Sequence, residues 1–337
     1  MRSATSLIFS LLLAVTSVFA QGAEVKIHKA IEFAAPDKFS LTLDIYVPQT
    51  GKKNYPVVVI YHGGGWLVNN NSIMNDFSAA LASKGEFVVA NMNYRLLVDQ
   101  GNTVKMNQIV EDVFGGLLWV KENISKYQGD PTRVAITGDS AGGHLTTMIL
   151  TRGRHLESDG FSGPSLGFKP SYLPAGKTAE QVAKEDGLKV QAAVVSYGAF
   201  DLYKAAQGGF ETSQNMFWKF ANAEARGLFG DKINAKDNAD YYKAVSPIYF
   251  VPTAKEYPLP PQFVHVGSLD KTTTPETAQG YVDLLKAGKQ PVEYKVYEGK
   301  THAYLDNGCN WANSCFDKDA VEPVNDIITF LTKTLKK

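Results

Sequence analysis

Pro56-Val-Val-Val-Ile-Tyr61 is an unbroken apolar run rich in β-branched residues. A strand with one wet face alternates apolar and polar residues, so a run with no polar face has to be covered on both sides. That requirement narrows the fold more than any other stretch does. Further strands are expected over 87–91, 133–137, 190–196, 262–266 and 292–297. Helical stretches lie between them: 106–126, 141–150, and a helix that opens on Thr274-Pro275-Glu276 and stops before Gly288. Cap, first-turn proline and dipole-matched acid are all present in that opening. The last helix carries Val324, Ile327, Ile328 and Leu331 at the spacing of one helix face. Strands alternating with helices give an α/β fold, a mostly parallel central sheet with helices on both faces. Two runs before it, 25–33 and 39–47, look like antiparallel strands joined by a Pro-Asp turn.

Two segments interrupt the alternation, at about 152–189 and 202–245. The first is rich in Gly, Ser and Pro, the second in aromatic residues. Both are expected to leave the sheet where its strands end, as a lid or pocket wall, because open α/β sheets bind ligands at that edge.

The chain has 337 residues, 44% of them hydrophobic and 20% charged, enough for a large core. Its 34 basic and 34 acidic residues balance, so no strong field draws in nucleic acid or an anionic membrane. At the N-terminus, Arg2 precedes the apolar run 7–15, and Val18-Phe-Ala20 places small residues where a signal peptidase reads. Residues 1–20 are therefore expected to be a secretory signal peptide cut after Ala20, leaving 21–337 as the folded domain. The run is too short to span a bilayer, so no stable membrane insertion is expected after cleavage. The expected location is secreted or periplasmic. The two cysteines, Cys309 and Cys315, are expected to be bonded in an exported protein.

Gly-x-Ser-x-Gly occurs twice, as GDSAG around Ser140 and GPSLG around Ser165. A nucleophile elbow needs a strand before the serine and a helix after it. Val134-Ala-Ile-Thr137 and the run from Ala141 supply both for Ser140. Ser165 has neither, and Pro164 and Pro170 break its surroundings. A serine needs a base to take its proton. On such a sheet the order is serine, acid, histidine. His302, in the loop after the last strand, can reach a serine at the same edge. His144 sits one turn into the helix after Ser140, and His265 lies inside a strand, so both are read as structural. Asp270, in Gly267-Ser-Leu-Asp270, is the expected acid, with Asp201 as its rival. His62-Gly-Gly-Gly-Trp66 follows the first buried strand, and its backbone can turn amides inward. Gly64, Gly65 and Ala141 are the expected oxyanion donors. Trp66 is expected beside the scissile bond, where it would bind substrate.

Taken together, HGGGW, GDSAGGH, GSLD and the final histidine resemble the α/β-hydrolase fold. More narrowly they are similar to the feruloyl/acetyl-xylan esterase-like and hormone-sensitive-lipase-like carboxylesterases. Leu43-Asp-Ile-Tyr-Val-Pro48, Asn93-Tyr-Arg-Leu96 and Ala244-Val-Ser-Pro-Ile248 are similar too, and the resemblance runs from about 39 to 330. Leu97-Val-Asp99 departs from the lipase-like continuation, and few residues precede HGGGW, so the resemblance leans to the feruloyl/acetyl-xylan branch. It implies a serine hydrolase acting through Ser140, His302 and Asp270 on small-molecule or polysaccharide-linked esters. An amidase or peptidase with the same triad, or a non-catalytic binding protein on the same fold, are the alternatives. No metal or cofactor is implied, since no His/Cys/Asp cluster has ligand spacing. Compact acyl groups are expected to be preferred. The oligomeric state is not specified by anything in the sequence.

Overall fold

The computed structural model describes residues 22–336. The expected signal peptide lies outside them. Eight strands form one sheet: β1 Val25–Ala34, β2 Leu41–Pro48, β3 Tyr55–Tyr61, β4 Val88–Met92, β5 Gly129–Asp139, β6 Ala192–Ser196, β7 Gln262–Gly267 and β8 Val292–Tyr297. Their order is β1-β2-β4-β3-β5-β6-β7-β8. The contacts β1–β2 and β2–β4 are antiparallel, and the rest are parallel. Every residue of β3 is buried, as its unbroken apolar run requires.

The main helices are α1 Asn75–Gly85, α2 Met106–Asn123, α3 Ala141–Arg152, α4 Pro275–Ala287 and α5 Val321–Leu335. Thr274 caps α4 with its side chain, Pro275 opens the first turn, and Gly288 ends the helix. In α5, Val324, Ile327 and Leu331 are buried and form the stripe expected of them. Parallel strands all end at one edge. Tyr61, Asp139, Ser196, Gly267 and Tyr297 close their strands there, and the candidate residues follow them in the chain.

The two inserted segments leave the sheet at different edges and meet where Phe161 stacks on Phe229, with ring centroids 5.6 Å apart, and packs against Tyr241. Residues 202–245 leave β6 at that edge. Residues 152–189 do not, contrary to expectation. α3 runs back across the sheet, so its end delivers the chain to the edge where strands begin. Gln191, just after the segment, donates its amide to the carbonyl of Val134 (2.8 Å), next to the point where β5 begins to pair with β6. The segment lies against α2, with the Ser171 amide on the Glu111 carbonyl at 3.0 Å.

Candidate active site

The turn from β5 into α3 is the sharpest feature of this edge. Ser140 is held at φ 51°, ψ −114°, a conformation that L-residues avoid and that persists only where its surroundings impose it. Its amide donates to the Ser196 carbonyl (2.9 Å). The flanking glycines are forced by crowding. A Cβ on Gly142 would stand 1.8 Å from the Tyr61 carbonyl oxygen, and one on Gly138 2.2 Å from that of Gly142.

His302 follows β8 and is buried. Its Nε2 lies 3.0 Å from Ser140 Oγ, and its Nδ1 lies 2.7 Å from Asp270 Oδ2. The other carboxylate oxygen of Asp270 accepts the amides of Thr272 and Thr273 at 2.8 and 3.0 Å. Thr273 Oγ1 donates to the Tyr197 carbonyl (2.6 Å) and stands 3.3 Å from both Asp270 Oδ2 and His302 Nδ1. Asp201 is elsewhere: it caps a short helix through Lys204 N and accepts from Tyr249 Oη. Ser165 sits in an exposed loop against Glu157.

The other buried histidines have structural partners. His144 Nε2 lies 2.7 Å from the Val245 carbonyl, and His265 bridges Ser196 Oγ (2.9 Å) and Tyr304 Oη (2.7 Å). Burial pushes His144 down to about 4 and His265 to about 3, so both stay neutral.

Among the described residues, none of the amides of Gly64, Gly65 and Ala141 donates to a backbone carbonyl. Gly64 lines a cavity of about 460 Å³ together with Ser140 and His302. Gly65 lies under the Phe217 ring, where a Cβ would clash at 2.6 Å. Gly63 has to be glycine because Asp139 Oδ2 would lie 2.3 Å from its Cβ. Asp139, just before Ser140, thus lies against the glycine loop.

Trp66 is not in this cavity. It is buried edge-on to His144 (5.1 Å) and Phe210 (5.5 Å) and lines a separate hollow of about 390 Å³ with Thr273. The aromatic wall near Ser140 is built instead by Phe217, Phe220 and Trp311, with ring centroids 6.1–6.5 Å apart. Trp311 is 6.1 Å from the His302 ring. A Cys309–Cys315 disulfide encloses it. Asp306, four residues after His302, lines the same cavity.

The BD-FAE family model matches residues 43–284, most of the chain. The chain belongs to the BD-FAE family. Relatives of this BD-FAE protein include a probable isoprenylcysteine alpha-carbonyl methylesterase, ICMEL2, of Arabidopsis thaliana. It is 27% identical over 268 residues, covering 78% of this chain and 54% of the relative. The carboxylesterase NlhH of Mycobacterium tuberculosis is 32% identical over 130 residues, 39% of this chain and 38% of NlhH. The chain thus spans about half the length of the methylesterase it matches, and less of NlhH. Among solved structures, a truncated carbohydrate esterase from gut microbiota superposes with a TM-score of 0.67 at 21% identity, covering 94% of this chain and all of that one. Esterase 2 of Thermogutta terrifontis superposes with a TM-score of 0.61 at 21% identity, covering 93% and 92%. The BD-FAE chain has the α/β-hydrolase fold that these structures share.

Proposed function

We propose that this BD-FAE protein is an exported serine carboxylic-ester hydrolase. The observation that carries the reading is the unbroken hydrogen-bonded chain Ser140–His302–Asp270, at 3.0 and 2.7 Å, opening into a cavity. Ser140 Oγ attacks the ester carbonyl as His302 Nε2 takes its proton. Asp270 holds the imidazole with Nδ1 protonated and stabilises the imidazolium that forms. The amides of Gly64, Gly65 and Ala141 receive the oxyanion. The tetrahedral intermediate collapses as His302 passes the proton to the leaving alcohol. Water then attacks the acyl-enzyme by the same route in reverse. The Thermogutta enzyme has been solved phosphorylated by paraoxon, in keeping with an activated nucleophile on this fold.

The acyl group is proposed to be compact, acetyl to hexanoyl or a planar feruloyl. The support is the wall of Phe217, Phe220 and Trp311 around a cavity of modest volume. Export is supported by the disulfide, since such bonds persist in oxidising compartments. Nitrophenyl acetate hydrolysis is the test. Ser140→Ala should lower kcat by about 10⁶, and Ser165→Ala should leave it intact. Hydrolysis of an anilide faster than of the matching ester would make the protein an amidase instead. A chain-length series peaking at about ten carbons or more would contradict the compact acyl pocket.

A further inference from the structure

Two acids in the cavity have no part in the triad. Asp306 is 7% exposed, lines the cavity, and its carboxylate makes no hydrogen bond among the described residues. Asp139 turns one oxygen to the Gly63 loop, while its buried Oδ1 has no partner. None of the described residues lining the cavity is Lys or Arg. A buried carboxyl without a partner is costly unless something completes it. Of the three asparagines lining the cavity, two are already committed: Asn307 bonds Ser72 and Asp76, and Asn310 bonds Ala303 and Ala312. The aromatic wall is apolar. Asn69, the third, is exposed to solvent, so the buried groups in want of a partner are Asp139 Oδ1 and the Asp306 carboxyl, and of these Asp306 has no hydrogen bond to either oxygen. It shares the loop of His302, the group that hands a proton to the leaving alcohol.

We propose that Asp306, backed by Asp139, is a specificity-determining residue that binds a hydroxyl on the alcohol half of the substrate. The proposal rests on the esterase reading above. A hydroxyl is favoured over a cation because burial raises both carboxyls, and for Asp306 the nearby Asp139 charge raises it further. A pair that retains a proton presents a donor and an acceptor side by side, which is what a hydroxyl presents in return. The exposed rings of Phe220 and Trp311 cover the apolar face of the same alcohol.

The experiment compares kcat/KM for 2-hydroxyethyl acetate and its apolar counterpart propyl acetate. The native enzyme should favour the hydroxylated ester by about tenfold or more. Asp306→Leu should bring the ratio to about one, and Asp306→Asn, which keeps a donor and an acceptor, should retain most of it. A ratio near one in the native enzyme, an unchanged ratio in Asp306→Leu, or a preference for acetylcholine over both esters overturns the inference. The native ratio and the asparagine variant decide the matter if the leucine variant does not fold. Nitrophenyl acetate separates the two levels. No turnover of it sinks the esterase reading and this inference together. Turnover with a ratio near one sinks this inference alone.

Discussion

Asp270 divides its work between its two oxygens. Oδ1 is held by two backbone amides, and Oδ2 faces His302 Nδ1. Asn in its place would keep the shape yet present an amide to Nδ1, favouring the wrong tautomer. Asp270→Asn is expected to lower kcat by about 10⁴, whereas Asp201→Asn should cost only cap stability. The reverse pattern would make Asp201 the acid. That Ser140, His302 and Asp270 come together was legible because each follows a strand at the same sheet edge. Trp66 was misplaced because adjacency in sequence to the glycine loop says nothing of which way the turn throws the ring. With φ at 62°, the Trp66 backbone turns sharply here, and the ring lies beside His144. Asp306 and Trp311 were not singled out. A lone acid and a lone indole in a loop carry no periodic signal, and only the closed 309–315 loop brings Trp311 to His302.

Cys309 and Cys315 bracket Trp311 a few residues beyond His302, and closing so short a loop stabilises by about 2 kcal/mol on the chain-entropy model. Replacing both by serine should lower the urea midpoint accordingly and raise KM by loosening the aromatic wall. Alkylation of the denatured protein without reductant should find no free thiol. Two free thiols would contradict the pairing. Seven of the eight strands were legible within a residue or two at each end, from apolar runs and alternation. The exception is β5, which begins four residues before the apolar signal, with Gly129 recruited by pairing to Tyr55 of β3. Helix α1 was not singled out, since its apolar face is carried largely by Phe77, Leu81 and small residues. The placement of 152–189 went astray because the segment follows the end of α3, and a helix that returns across the sheet delivers the chain to the opposite edge.

For the whole molecule, two sets of buried groups pull stability in opposite directions with pH. Burial lowers His62 and His144 to about 4 and His265 to about 3. Between those values and about 6.5 the unfolded chain binds protons that the folded one refuses. Stability is therefore lost as pH falls through that window. Asp139 and Asp306 are raised instead, so above about 4 the folded chain keeps protons that the unfolded one releases, and stability falls as pH rises. Asp306→Asn removes part of the second trend. The gain in urea midpoint of this variant over the native protein should widen from pH 5 to pH 8. A difference that does not change with pH would show that Asp306 is ionised in the folded state.

If Ser140 is a nucleophile activated by His302, it can be labelled covalently. A fluorophosphonate reacts only with such a serine, and peptide mapping by mass spectrometry locates the adduct. One adduct per chain is expected, on the peptide containing Ser140, with its loss in His302→Ala. An adduct on Ser165, or labelling of Ser140 undiminished in His302→Ala, would contradict that activation.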